Sequence, residues 1–220
     1  MSQEIKIEKK ASEVIQPASA EEARQAIRSK QDLSGAALSG LNLRNLTAAG
    51  AVLRKTDLSE SDLSHGVLIY PNFFRSHLKG TAIHNTLFLG GDLVRTELPE
   101  ADLHASALIG VDAREANFEG ANLHKAALLS VNLQDANFTD ADLSDVRLAT
   151  SDVTGADFTN ANVSGALSYK VDWSKAKVPP SVIPAPLIDL PRWAWAIIIG
   201  SFIGLIALIV YSFFRKNRPK

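Results

Sequence analysis

Residues 116–145 read ANFEG ANLHK AALLS VNLQD ANFTD ADLSD when they are written in groups of five. In each group the third residue is Leu or Phe, and the first is Ala or Val. A period of five matches neither the 3.6-residue period of an α-helix nor the two-residue period of a flat strand. Each group is therefore predicted to be a short extended side followed by a corner, with its first and third residues facing inward.

The same register extends over most of the chain. Every fifth residue from Leu33 to Val163 gives 27 positions, of which 17 are Leu, five Phe, two Val, two Ala and one Ile. The remaining positions are rich in Asp, Asn, Ser, Thr and Gly, residues that favour turns. A repeat solenoid is therefore predicted over residues 31–173, and we expect Trp173 to cover its last coil.

Several of these groups match a known motif. Residues 116–120, 136–140 and 141–145 resemble the A(D/N)LXX repeat of the pentapeptide-repeat family. The resemblance extends over the repeat region and implies an all-β solenoid, a right-handed quadrilateral β-helix with four groups to each coil.

A second period, of twenty residues, supports four groups to a coil. The residue before each large apolar position is usually Asp or Asn, but at every fourth group it is neither an acid nor an amide. These exceptions are Thr47, Val67, Leu87, Ala107, Ala127, Arg147 and Leu167. One side of the solenoid is therefore predicted to differ from the other three. Phe118, Phe138 and Phe158 are also twenty residues apart, so we expect their rings to stack inside.

The sequence before and after the repeats predicts three further segments. Residues 1–18 are predicted to be disordered or to form an edge strand. Ser19 and Glu22 have the spacing of a capping box, so residues 19–30 are predicted to contain a helix that covers the first coil. The five prolines between positions 179 and 191 predict a semi-stiff linker over residues 174–192.

Residues 193–214 contain no charged residue and are predicted to form a single transmembrane α-helix. At about 1.5 Å per residue the stretch is long enough to cross a hydrocarbon layer of about 30 Å. Trp193 and Trp195 suit one interface, and a basic tail over residues 215–220 ends the span. The N-terminus has no apolar stretch of signal-peptide length. We therefore expect a tail-anchored protein of a bacterial inner membrane with its N-terminal domain in the cytoplasm. A buried soluble helix is the alternative.

Small residues recur at every fourth position of the predicted span. Ala196, Gly200 and Gly204 would let two transmembrane helices approach closely. They are predicted to form a helix-pairing site. The alternative is that the glycines have no role in pairing.

The odd side of the solenoid carries the candidate binding site. There the residues before and after the inward position are both apolar, and a contiguous apolar surface usually marks a contact region. We call this surface the apolar strip: Val67, Ile69, Leu87, Leu89, Ala107, Ile109, Ala127 and Leu129. Its expected partner is a protein, either a membrane complex or a second copy of this chain. Cover by the chain's own end segments, or direct membrane contact, are the alternatives.

Other site classes are not expected. The chain has no cysteine, hence no disulfide and no thiolate metal site. It has no Gly-rich phosphate loop with a lysine and no nucleophile with its base, so no enzyme activity, cofactor or small-molecule substrate is predicted. His84, His104 and His124 share one column, but parallel side chains do not converge on one ion. No metal site is therefore predicted.

These features predict a non-enzymatic, membrane-anchored scaffold or accessory subunit that presents a rigid β-helix with one apolar side to a partner. One alternative is a secreted effector anchored in host membranes. A second is a DNA-mimicking protein that binds gyrase or another topoisomerase, as the resemblance to quinolone-resistance members of the family implies. Residues 32–165 carry 17 acidic and 9 basic residues, but the basic residues interrupt the acidic surface. We therefore expect a protein partner and no nucleic acid.

Overall fold

The computed structural model describes residues 14–186 of the 220-residue chain. Over that range the chain forms one helix followed by a parallel β-solenoid of about seven turns. A short 3₁₀ helix, Trp173–Lys175, lies near the C-terminal end. The helix is α1 (Ala20–Arg28), and the strands are β1 (Thr47–Ala49), β2 (Val67–Ile69), β3 (Leu87–Leu89), β4 (Ala107–Ile109), β5 (Ala127–Leu129), β6 (Arg147–Ala149), β7 (Leu167–Tyr169) and β8 (Ala185–Pro186).

The strands form one parallel sheet in chain order, with one strand from each coil. From β1 to β7 each residue pairs with the residue twenty positions later, as Leu68 does with Phe88. The other three sides pair through single bridges at the same spacing, such as Asp32 with Val52. The predicted four-sided coil of twenty residues is confirmed. The side predicted to differ from the others is the one that carries the strands.

The interior of the solenoid follows the five-residue register. Every large apolar position from Leu33 to Val163 is buried, so the predicted register is confirmed. Most hydroxyl groups at the small inward positions donate to carbonyls of the preceding coil, as Thr96 Oγ1 does to the Phe73 carbonyl at 2.8 Å. The rings of Phe118, Phe138 and Phe158 stack with centroids 4.9 Å apart, as predicted.

The polar sides and the strand-bearing side differ at one residue in most groups. On the polar sides an Asp or Asn accepts from the backbone N–H two residues later, as Asp57 Oδ1 does from Ser59 at 3.0 Å. This bond stabilises a tight turn, in which the corner residue has a positive φ, such as 58° at Glu60. The strand-bearing side lacks that Asp or Asn, and its three residues stay extended and pair as a sheet.

The N-terminal end of the solenoid is covered by α1. The Ser19 hydroxyl accepts from the Glu22 N–H at 3.2 Å, as the capping box predicts. The return bond runs from the Ala18 N–H to Glu22 Oε2, one residue earlier than in the usual motif. Ala26 and Ile27 of this helix belong to the same buried cluster as the repeats. Residues 1–13, where disorder or an edge strand is predicted, lie outside the described residues.

The prediction of a linker from residue 174 is wrong for residues 174–186. Val178 pairs with Asp157 on the last coil, and β8 pairs with β7. Pro180 and Pro184 are buried rather than exposed. Prolines are tolerated here because the segment is the outer edge of the sheet. At an edge, a residue without an N–H group removes no hydrogen bond to a further strand. The Trp173 ring contacts Phe158 at 5.3 Å between centroids and covers the last coil, as expected.

Within residues 14–186 no helix has the length and apolar character needed to cross a membrane. The rest of the predicted linker (187–192), the predicted transmembrane helix (193–214) and the basic tail (215–220) lie outside the described residues.

Candidate functional site

The apolar strip lies on strands β2 to β5. In each of these strands the central residue points inward and is buried, while the residues on either side of it face outward. The parallel register places Ile69 directly beside Leu89, and Leu89 beside Ile109. The structure therefore brings all eight predicted residues together on one continuous surface.

The side chains of the strip are half-buried rather than fully exposed. They shield one another because neighbouring strands of a sheet lie only about 4.8 Å apart. Side chains held in stacked columns have already lost much of their rotamer freedom. A partner that binds this surface therefore pays little additional side-chain entropy.

Polar residues limit the strip at both ends. Thr47 occupies the corresponding position on β1, and Arg147 occupies it on β6. Four strands at the usual spacing give a contact surface about 15 Å long between the outermost strand axes. Beyond Arg147, the outward residues of β7 are again large, Leu167 and Tyr169.

Tyr70 extends the strip and was missed by the sequence reasoning. Tyr70 is 71% exposed, and it follows Ile69 directly. The ring lies over the next corner, where a Cβ added to Gly90 would collide with Tyr70 Cε1. Tyr70 also holds a positive φ of 49°, which is unusual for an aromatic residue. The sequence does contain a signal for this residue. Every twentieth position from 50 to 170 is a corner, and Tyr70 is the single aromatic residue in this column of Gly, Ser, Thr and Lys.

The end segments that the structure describes lie away from the strip. At the N-terminus, Gln16 Oε1 accepts from the Ala37 N–H at 2.9 Å, on a polar side of the first coil. At the C-terminus, residues 174–186 lie on the last coil. Within residues 14–186, therefore, neither segment covers β2 to β5.

Two basic residues of the surface form a cluster with an aromatic ring. The guanidinium groups of Arg54 and Arg75 lie 5.2 Å and 5.1 Å from the centre of the Phe74 ring. Arg95 donates to both carboxylate oxygens of Glu115, at 2.7 Å and 3.0 Å. These hydrogen bonds hold the pKa of Glu115 below its ordinary value. Together with Lys55 at an adjacent corner, this cluster breaks the acidic surface that a DNA mimic requires.

Two rings of the histidine column stack on each other. The rings of His84 and His104 lie 4.7 Å apart and within 14° of parallel. His104 Nδ1 lies 2.9 Å from Asp102 Oδ1, and His124 Nδ1 lies 2.8 Å from the Ser144 hydroxyl. Each of these ring nitrogens faces its own neighbour rather than a common point. No group of three potential metal ligands is found among the residues of the described range.

Two sequence models of the same repeat family match this chain. "Pentapeptide repeats (8 copies)" matches residues 32–68, and "Pentapeptide repeat region" matches residues 81–158. The chain belongs to the pentapeptide-repeat family. The family identified from the A(D/N)LXX groups is thus confirmed. Comparison with curated proteins gives no significant match.

Solved structures of other pentapeptide-repeat proteins are similar to this chain. HetL, involved in heterocyst differentiation regulation in the cyanobacterium Nostoc sp. strain PCC 7120, is 19% identical, with 76% of this chain and 100% of HetL covered and a TM-score of 0.33. Full-length QnrB1, a plasmid-mediated fluoroquinolone resistance protein, is 17% identical, with 76% and 96% covered and a TM-score of 0.37. A protein of the Arabidopsis thaliana thylakoid lumen is 22% identical, with 56% and 74% covered and a TM-score of 0.28.

Proposed function

We propose that this pentapeptide-repeat protein is a non-enzymatic scaffold or accessory subunit that binds a partner protein through its apolar strip while it is anchored in a membrane. The apolar strip supports this function most directly. Its eight residues form one surface on β2 to β5, and the polar sides of the same solenoid carry no comparable surface. A stiff, preformed apolar surface is suited to holding a partner rather than to catalysis.

The membrane anchor in this proposal is the apolar stretch 193–214, with the solenoid on the cytoplasmic side of a bacterial inner membrane. An anchor confines the solenoid to the membrane surface, and this raises its effective concentration beside membrane-bound partners. Pairing through Ala196, Gly200 and Gly204 would place two strips in one assembly.

Substitutions on the strip test the proposed binding surface. Ile69, Leu89, Ile109 and Leu129 are replaced by Ser in the full-length chain, and a photo-crosslinking residue is placed at Leu87. We expect the wild-type strip to yield a discrete crosslinked complex after extraction in mild detergent. The four-Ser variant should lose about tenfold or more of this complex, because a lost apolar contact of about 1.4 kcal/mol already has that effect.

A matched control uses apolar residues of a polar side. Phe74→Ser with Val94→Ser also removes two half-buried apolar side chains from the surface, and it should leave the complex intact. Circular dichroism should show the same β-solenoid in all variants. The proposal is wrong if the intact chain emerges alone and monomeric, or if the complex survives in the four-Ser variant.

A further inference from the structure

The C-terminal end of the solenoid exposes two aliphatic side chains. Val182 is 68% exposed and Ile183 is 53% exposed, whereas the nearby Pro180 and Pro184 are buried. The prolines therefore close the last coil and leave Val182 and Ile183 facing outward. Both border a cleft of about 520 Å³, whose opposite wall is formed by residues 161–167.

Three exposed lysines lie at the same end of the solenoid. The side chains of Lys175 and Lys177 are 60% and 69% exposed, although each also contacts a carboxylate, Asp172 at 3.9 Å and Asp157 at 3.1 Å. Lys170 is exposed at the preceding corner. Residues 166–186 thus carry three lysines against one acid, a net charge of +2.

The sign of this charge is opposite to that of the adjoining coils. Residues 92–165 carry 13 acidic and 4 basic residues, a net charge of −9. An anionic surface would therefore attract the C-terminal end of the solenoid and repel the coils before it. This difference would orient the molecule on such a surface.

The chain between this end and the predicted transmembrane helix is short. From Pro186 to Trp193 there are seven residue steps, which span at most about 25 Å even when fully extended. The sequence between them, LIDLPR, has three apolar residues and two of opposite charge, so it lacks the features of a long polar spacer.

We propose that the C-terminal end of the solenoid docks on an anionic bilayer surface, with Val182 and Ile183 at the acyl–headgroup boundary and Lys170, Lys175 and Lys177 beside lipid phosphates. This inference rests on the membrane anchor of the proposed function. Exposed aliphatic side chains accompanied by lysines are the combination that binds a protein to an anionic membrane interface. Docking at the end would hold the apolar strip at a defined height above the bilayer.

The absence of cysteine in the chain allows a direct test. Ile183→Cys in the full-length chain carries a nitroxide label, and the protein is placed in nanodiscs of phosphatidylcholine with phosphatidylglycerol. Tyr70→Cys, which is also at an exposed position, is the control on the other half of the solenoid. We expect the label at 183 to be several-fold less accessible to a water-soluble nickel reagent, and more accessible to oxygen, than the label at 70. Protection at 183 should weaken in pure phosphatidylcholine.

Extraction of the same membranes with alkaline carbonate distinguishes a failure of the docking from a failure of the membrane anchor. If the chain stays in the membrane but the label at 183 is as accessible to nickel as the label at 70, docking is overturned and the anchor stands. If carbonate extracts the chain, both the anchor and the docking are overturned. Equal protection in pure phosphatidylcholine overturns the preference for anionic lipid.

Discussion

At most polar corners a single side-chain oxygen stabilises the turn. Asp57 accepts from the backbone N–H of Ser59, and this hydrogen bond, with a second from the Ser59 side chain, holds the pKa of Asp57 below its ordinary value. The Thr159 hydroxyl and backbone N–H lower the pKa of Asp157 in the same way. The ionised carboxylate is favoured because it is the better acceptor for these donors.

Acid should therefore destabilise the solenoid. These carboxylates have folded-state pKa values below the reference of 3.8, so their stabilisation is complete above that pH and is lost as the pH falls through the folded values. We expect the urea midpoint, followed by circular dichroism, to fall as the pH is lowered from about 5 to about 3. Asp57→Asn with Asp157→Asn should reduce this pH dependence, because the amide still accepts the turn hydrogen bond but does not titrate in this range.

The matching Ala variants provide the control for that measurement. Asp57→Ala with Asp157→Ala removes the acceptor and should lower the urea midpoint at every pH. An unchanged pH dependence in the Asn variant would show that other groups cause the acid sensitivity.

Coils stabilise one another through columns of identical side chains. Phe138 lies between Phe118 and Phe158, with its ring within 2° of parallel to both. Trp173 ends this column by contacting Phe158 edge-on. Because each coil of a solenoid contacts only its neighbours, a defect in one column weakens the coils around it most.

Truncation of the central ring should open a cavity in this column. Phe138→Ala is expected to reduce the free energy of unfolding by about 3–5 kcal/mol, the usual cost for a buried aromatic residue. Phe138→Leu should cost clearly less, since Leu is the commonest inward residue of this solenoid. Urea denaturation measures both values, and equal costs for Ala and Leu would contradict the cavity argument. Hydrogen exchange should increase mainly in the coils of β5 to β7.

The described solenoid has two surfaces of different character, and an apolar stretch follows it in the sequence. The apolar strip occupies one side of the solenoid, the lysine-bearing end lies at its C-terminus, and the apolar stretch covers residues 193–214. In the proposed function these surfaces act together, since the anchor and the docked end determine where the strip meets its partner.

Helix pairing would add a second copy to this arrangement. Gly200→Ile places a large side chain at the centre of the predicted pairing site and should abolish the signal in a two-hybrid assay for membrane helices, because the helices no longer approach closely. Ser201→Ile adds the same side chain one residue later and should have little effect. An undiminished signal for Gly200→Ile would mean that the glycines do not mediate pairing.

The five-residue register, the twenty-residue coil, the distinct fourth side and the Phe column were all predictable from the sequence. In a solenoid each of these depends only on regular spacing, because residues twenty apart must lie side by side. The end of the solenoid was not predictable in the same way. Buried Pro180 and Pro184 and outward Val182 and Ile183 depend on contacts between residues with no periodic relation. Only the tertiary structure, in which those particular side chains meet, decided their positions.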